Sequence, residues 1–76
     1  MATIQERREF RRAFSVVLDS LGFDAMSRDI RKGKTMTKKQ FTKYGGVIKY
    51  EIRRRPIAKK TQQKVISHTN KLIDRY

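Results

Sequence analysis

Between Arg31 and Lys60 the chain places twelve lysines and arginines against a single acid, Glu51, so that this window holds +11 of a formal net charge of +13 over 76 residues. Fixed cations at such density do one kind of chemistry well: they hold polyanions. Self-repulsion of this size destabilises a small domain, and a polyanionic partner is the simplest reason to keep it. Nucleic acid is the first expectation from a basic patch of this kind. An anionic membrane or an acidic protein is the alternative, whereas a merely solubilising surface usually mixes both signs.

Other chemistries find little to work with. There is no cysteine and one histidine, His68, so thiolate and histidine metal clusters are not expected. The acids Glu6, Glu9, Asp19, Asp24, Asp29, Glu51 and Asp74 make no paired-carboxylate motif, and neither a glycine-rich phosphate loop nor a nucleophile signature is present. We therefore expect no enzymatic activity, no cofactor, no metal and no small-molecule substrate. No apolar run approaches the roughly 20 residues that span a bilayer, and an amphipathic segment follows Arg7 and Arg8 where a signal peptide would need an apolar core. A soluble cytoplasmic protein without membrane contact is the default expectation.

The elements that must carry these cations are short. The chain is read as one domain over residues 1–76, with a thin core. "TIQE" is a capping box with Thr3 as N-cap and Glu6 reaching back. Phe10, Phe14, Val17, Leu18 and Leu21 follow at helical spacing, with Gly22 suited to a left-handed end and Phe23 able to fold back on the last turn. Arg7, Arg8, Arg11 and Arg12 are read as a solvated face, with direct phosphate contact as the alternative. A second helix is expected from about Asp24 to Lys32, capped by Asp24 or Ser27, with Met26 and Ile30 inward and Gly33 as its stop. A long last helix is expected from Ile57 or Ala58 to Tyr76, with Pro56 at its start and Val65, Thr69, Leu72, Ile73 and Tyr76 inward. His68 falls on its flank as a surface histidine.

The central stretch "TKKQFTKYGGVIKYEIRRRP", Thr37 to Pro56, admits two readings. Gly45-Gly46 between aromatic and β-branched runs is a hairpin signal, which would make the protein α+β with a β-hairpin at residues 40–53. The helical reading has more support. Thr37 and Gln40 form a second capping box, Tyr44-Gly45-Gly46 offers a helix end, and Val47 plugs the turn. A further helix from Ile48 or Lys49 would bury Ile48 and Ile52, pair Glu51 with Arg55, and stop before Pro56. The expected fold is thus all-α, with about five helices.

The stretch "MTKKQFTKYGGVIKYEI" resembles the helix-turn-helix of the Cro and phage-repressor family, with Phe41, Thr42, Gly46, Val47 and Ile52 at its pattern positions. The following "PIAKKTQQKVISHTNKL" is similar to the segment after the recognition helix in LacI-type repressors. Thr42, where alanine is usual, and Arg55, where an aliphatic residue closes the motif, depart from the pattern. The resemblance covers about 40 residues and implies a small sequence-specific DNA-binding transcriptional regulator of phage or plasmid type, active at the nucleoid of a bacterial or phage-infected cell.

On that resemblance the recognition helix is residues 48–55, placed in the major groove. The base-reading positions it implies are Lys49, Tyr50 and Arg54, with Glu51 and Arg53 as neighbours; an arginine or lysine would pair with guanine and Glu51 with a cytosine amine. Phosphate contacts would come from Lys38, Lys39, Lys43, Arg55, Lys59 and Lys60, with Arg53 also in reach. Double-stranded DNA is the expected partner, and a homodimer joined through Leu72, Ile73 and Tyr76 is expected on two half-sites. The alternatives are a non-specific nucleic-acid packaging or architectural protein, and a basic protein that binds and inhibits an acidic protein partner.

Overall fold

The computed structural model describes residues 2–32 and 36–76. Four helices make up the regular structure among them: α1 (Ile4–Ser20), α2 (Asp24–Lys32), α3 (Lys38–Arg54) and α4 (Lys59–Arg75). The protein is all-helical there, with no strand among the described residues. The hairpin at 40–53 is not formed, and the expected five helices are four.

Local capping chemistry sets α1. The Glu6 N–H donates to Thr3 Oγ1 and the Thr3 N–H to Glu6 Oε1, both at 3.1 Å, which closes the capping box. That backbone donation from Thr3 holds the Glu6 carboxyl below its usual range. The contribution of the charged cap is thus present at neutral pH and fades as acid protonates it. At the other end Gly22 stands at φ +88°, with its N–H on Asp19 O (3.1 Å) and the Phe23 N–H on Leu18 O (2.9 Å). This is a Schellman end, and it needs the left-handed conformation that glycine alone adopts without strain.

The Schellman turn folds α2 back along α1. Ser27, expected as an alternative cap, is instead fully buried, and its hydroxyl donates to Ser15 O at 2.9 Å across the helix pair. Small serines on both faces let the two helices approach while the buried donor is satisfied. Ile30 is buried and Met26 half-buried, as their spacing predicts. The stop assigned to Gly33 lies outside the described residues.

The central stretch is where expectation and structure part. The second capping box forms, with the Gln40 N–H on Thr37 Oγ1 at 3.2 Å and the Thr37 N–H on Gln40 Oε1 at 3.0 Å. The helix it starts then runs unbroken through Gly45-Gly46 to Arg54. No helix-turn-helix corner exists at these glycines, since Gly22 is the only glycine with positive φ among the described residues. Gly45 serves packing instead. A Cβ there would stand 2.5 Å from Ile73 Cδ1 and 3.4 Å from Phe14 Cε2, so glycine lets α4 close onto α3. Arg55 leaves the helix in an extended conformation (φ −84°, ψ 149°) ahead of Pro56.

The chain then reverses, and α4 packs antiparallel on α3. Gln62 Nε2 donates to Ile52 O (3.0 Å) and Arg55 O (3.1 Å), covering carbonyls that the end of α3 leaves free. Farther along the pair, Lys49 reaches Asn70 and Gly45 meets Ile73.

A column of rings joins the two helix pairs. Phe14 of α1 stacks on Phe41 of α3, and Phe41 on Tyr76, each at 4.0 Å between centroids and within 13° of parallel. With Phe41 on one face of Tyr76, the Arg7 guanidinium covers the other at 4.7 Å, while its Nε donates to the Tyr76 main-chain oxygen at 2.8 Å. The Tyr76 hydroxyl accepts from Arg11 (2.9 Å) and donates to Met36 O (2.7 Å). Arg11 is 7% exposed and Arg7 half-buried, so the N-terminal arginines are not a uniformly solvated face. The column also withdraws the expected dimer surface. Leu72, Ile73 and Tyr76 are all buried in the protein's own core. No helix among the described residues is long and apolar enough to cross a membrane.

Two substitutions test this packing. Tyr76→Phe leaves Arg11 and Met36 O unpaired in the interior and is expected to lower unfolding stability by about 1–3 kcal/mol in a urea titration. Gly45→Ala is expected to destabilise through its clash with Ile73, although alanine is the better helix former. Ile73→Val removes the clashing carbon, so in a double-mutant cycle it should be milder on the Gly45→Ala background than on wild type.

Candidate nucleic-acid interface

The cations separate by helix pair. Residues 2–32 hold seven basic residues against five acids, whereas residues 36–76 hold twelve against Glu51 and Asp74. The α3–α4 pair is therefore the charged half of the molecule, and α1–α2 is close to balanced.

Helix starts show the same division. α1 and α2 carry Glu6 and Asp24 in their first turns, where a negative charge complements the helix dipole. α3 and α4 have no acid there and instead begin Lys38-Lys39 and Lys59-Lys60. α4 also lacks any side-chain hydrogen bond at its N-cap, Ala58. Positive charges at positive helix ends are unfavourable in the free protein and become favourable when an anion sits between them.

On α3 the buried residues Phe41, Gly45, Ile48 and Ile52 define the inner face. Opposite them, Lys39, Lys43, Gly46, Tyr50, Arg53 and Arg54 follow at steps of three and four and are all exposed. They form one outward stripe without a carboxylate, about 22 Å long at 1.5 Å per residue. Within it the Arg54 guanidinium lies over the Tyr50 ring at 5.3 Å and 3.5 Å from Glu51 Oε1. A second basic row runs along α4, where Lys60, Gln63, Lys64, Ser67, His68 and Lys71 line one shallow trough.

Several expected site residues lie elsewhere. Lys49 is half-buried and donates to Asn70 Oδ1 at 3.0 Å, so it belongs to the α3–α4 seam and not to the outer stripe. Glu51 is paired with Arg54 and not with Arg55, because Arg55 has left the helix and the four-residue spacing no longer places it alongside. Arg55 turns inward. Its Nη2 donates to Leu21 O at 2.6 Å, tying the end of α3 to the end of α1, and its buried Nε has no partner among the described residues. Lys38 is exposed but lies off the stripe, in a hollow shared with Glu6 and Asp74. Lys59 and Lys60 are exposed in the first turn of α4.

The structure thus brings Lys39, Lys43, Tyr50, Arg53 and Arg54 together, sets Lys38, Lys49 and Arg55 apart from them, and leaves Glu51 at the edge of the stripe as the partner of Arg54. Lys64 and Lys71 lie outside the expected site, yet they share one face of α4 with Lys60. The positions of Lys60, Lys64 and Lys71 carried the signal. No group of three or more histidine, cysteine, aspartate or glutamate residues able to hold a metal ion occurs among the described residues. Compared with protein-family models, curated proteins and solved structures, the chain matches none.

Arg55→Ala separates anchoring from binding. It is expected to lower stability by about 1–3 kcal/mol, the range for a lost hydrogen bond from a charged donor. Affinity for a DNA duplex, measured where the variant is fully folded, should stay near that of wild type.

Proposed function

We propose that the protein binds double-stranded DNA with the outer stripe of α3 and acts as a small DNA-binding regulator. One observation carries the reading: Lys39, Lys43, Tyr50, Arg53 and Arg54 share one exposed helical face without a carboxylate. A single exposed helix of this kind fits the major groove of B-form DNA, which is wide enough to admit it. The deep, narrow major groove of an RNA duplex is not. Tyr50, with Arg54 folded over it, is suited to base edges, and Lys39 at the end of the stripe suits phosphates. The phage- or plasmid-repressor reading is kept as a proposal about role. The docking element becomes one continuous helix in place of a short recognition helix at 48–55.

A second reading has its own support. Lys49 and Glu51, two of the five residues assigned to base reading, are already engaged by Asn70 and Arg54 of the protein itself. That loss favours a packaging or architectural protein that grips DNA without reading it.

Selection from a random duplex pool decides between the two. A regulator returns an enriched motif, with Arg54→Ala relaxing one base position and Lys39→Ala weakening all sites alike. Recovery of no motif by a protein that still binds duplex DNA would leave the architectural reading. In either case contacts from Lys39, Lys43, Arg53, Arg54, Lys59 and Lys60 predict an affinity loss of roughly 10³-fold between 50 and 200 mM salt. A flat salt response would falsify DNA binding by this surface.

A further inference from the structure

Gly46 is the middle residue of α3, and nothing inside the protein accounts for it. Its neighbour Gly45 is explained by Ile73, but a Cβ at Gly46 would meet no atom within 4 Å. Its φ is not positive, so no turn requires it either. Alanine would be the better helix former at an exposed interior position. The helix therefore keeps a destabilising residue at the centre of its basic stripe, with Lys43 and Tyr50 one turn to either side.

We propose that Gly46 is the point of closest approach between α3 and a DNA duplex, the helix lying tangent to the floor of the major groove there. The inference rests on the DNA-binding reading and deepens it. A straight helix in a groove that winds around the duplex touches the floor only near its middle, and its ends rise toward the sugar-phosphate strands. The groove, about 12 Å wide, barely admits a helix with its side chains, about 10–12 Å across. A missing side chain at the tangent point lets the backbone sink toward the bases. Lys43 and Tyr50 are then the side chains nearest the base edges. Lys39 and Arg53, each seven residues or about 10 Å from Gly46, meet phosphates on opposite sides of the groove.

The test compares Gly46→Ala, Gly46→Leu and a Lys39→Ala/Arg53→Ala double variant, using a short fluorescent DNA duplex of mixed sequence. Both Gly46 variants should melt at or above the wild-type temperature, because a Cβ there meets no atom within 4 Å and alanine and leucine are both better helix formers than glycine. Gly46→Leu should bind about tenfold or more weakly, as expected for lost base-edge contact, with Gly46→Ala between it and wild type. Protection of guanine N7 from dimethyl sulfate should be clear with wild type and reduced with Gly46→Leu. Wild-type affinity for Gly46→Leu, a lower melting temperature for Gly46→Ala, or absence of N7 protection in the wild-type complex overturns the proposal. The double variant separates the two levels. If it weakens binding while Gly46→Leu does not, the close approach alone falls. If neither changes affinity, DNA binding by α3 falls with it.

Discussion

Four helices of modest length are held as one body by three stacked rings. Phe41 sits between Phe14 and Tyr76 at 4.0 Å from each, so it contacts α1 on one side and the residue that follows α4 on the other. The hydroxyl at the end of the column is engaged by Arg11 and Met36 O, which fixes the edge of the stack as well as its faces. In a chain without disulfides or an evident metal site, such a column substitutes for the staples small domains often need. It also occupies the apolar end of α4, so that Leu72, Ile73 and Tyr76 are buried in the chain's own core.

This packing leaves the cations on α3 and α4 free of structural work, with a few exceptions. Arg55, just past α3, is turned inward and holds two helix ends together, and Lys49 bridges the α3–α4 seam. Most of the others stand outward in two rows, one on each helix. The lysines at the starts of α3 and α4 even oppose the helix dipoles. A molecule that placed its charges for its own stability would distribute them as α1 and α2 do.

Much of the fold was legible where the signal was local. Both capping boxes and the Schellman end at Gly22 and Phe23 each follow from a few neighbouring residues whose hydrogen bonds close among themselves. The site was legible as charge but less so as geometry. Lys39, Lys43, Tyr50, Arg53 and Arg54 lie together, whereas Lys49, Glu51 and Arg55 were assigned outward and point elsewhere. An arginine reads the same in a sequence whether it meets solvent or a buried carbonyl. Leu21 O, the partner of Arg55, lies 34 residues away, beyond the reach of any spacing rule.

Gly45-Gly46 marks the boundary between the two kinds of information. By itself the sequence determined that helices begin after Thr3 and Thr37, that one ends at Gly22, and that most of the net positive charge sits in the second half. These depend on contacts within a turn or two, or on composition. Whether the glycine pair bends the chain or passes through a helix is not a local matter, because glycine tolerates both conformations at nearly equal cost. The tertiary structure decided it. Ile73 of α4 and Phe14 of α1 press on Gly45 from outside α3, and the helix that stays straight buries Phe41, Ile48 and Ile52 on one side. That burial outweighs what two glycines take from helix stability, and it turns an expected corner into the centre of one continuous face.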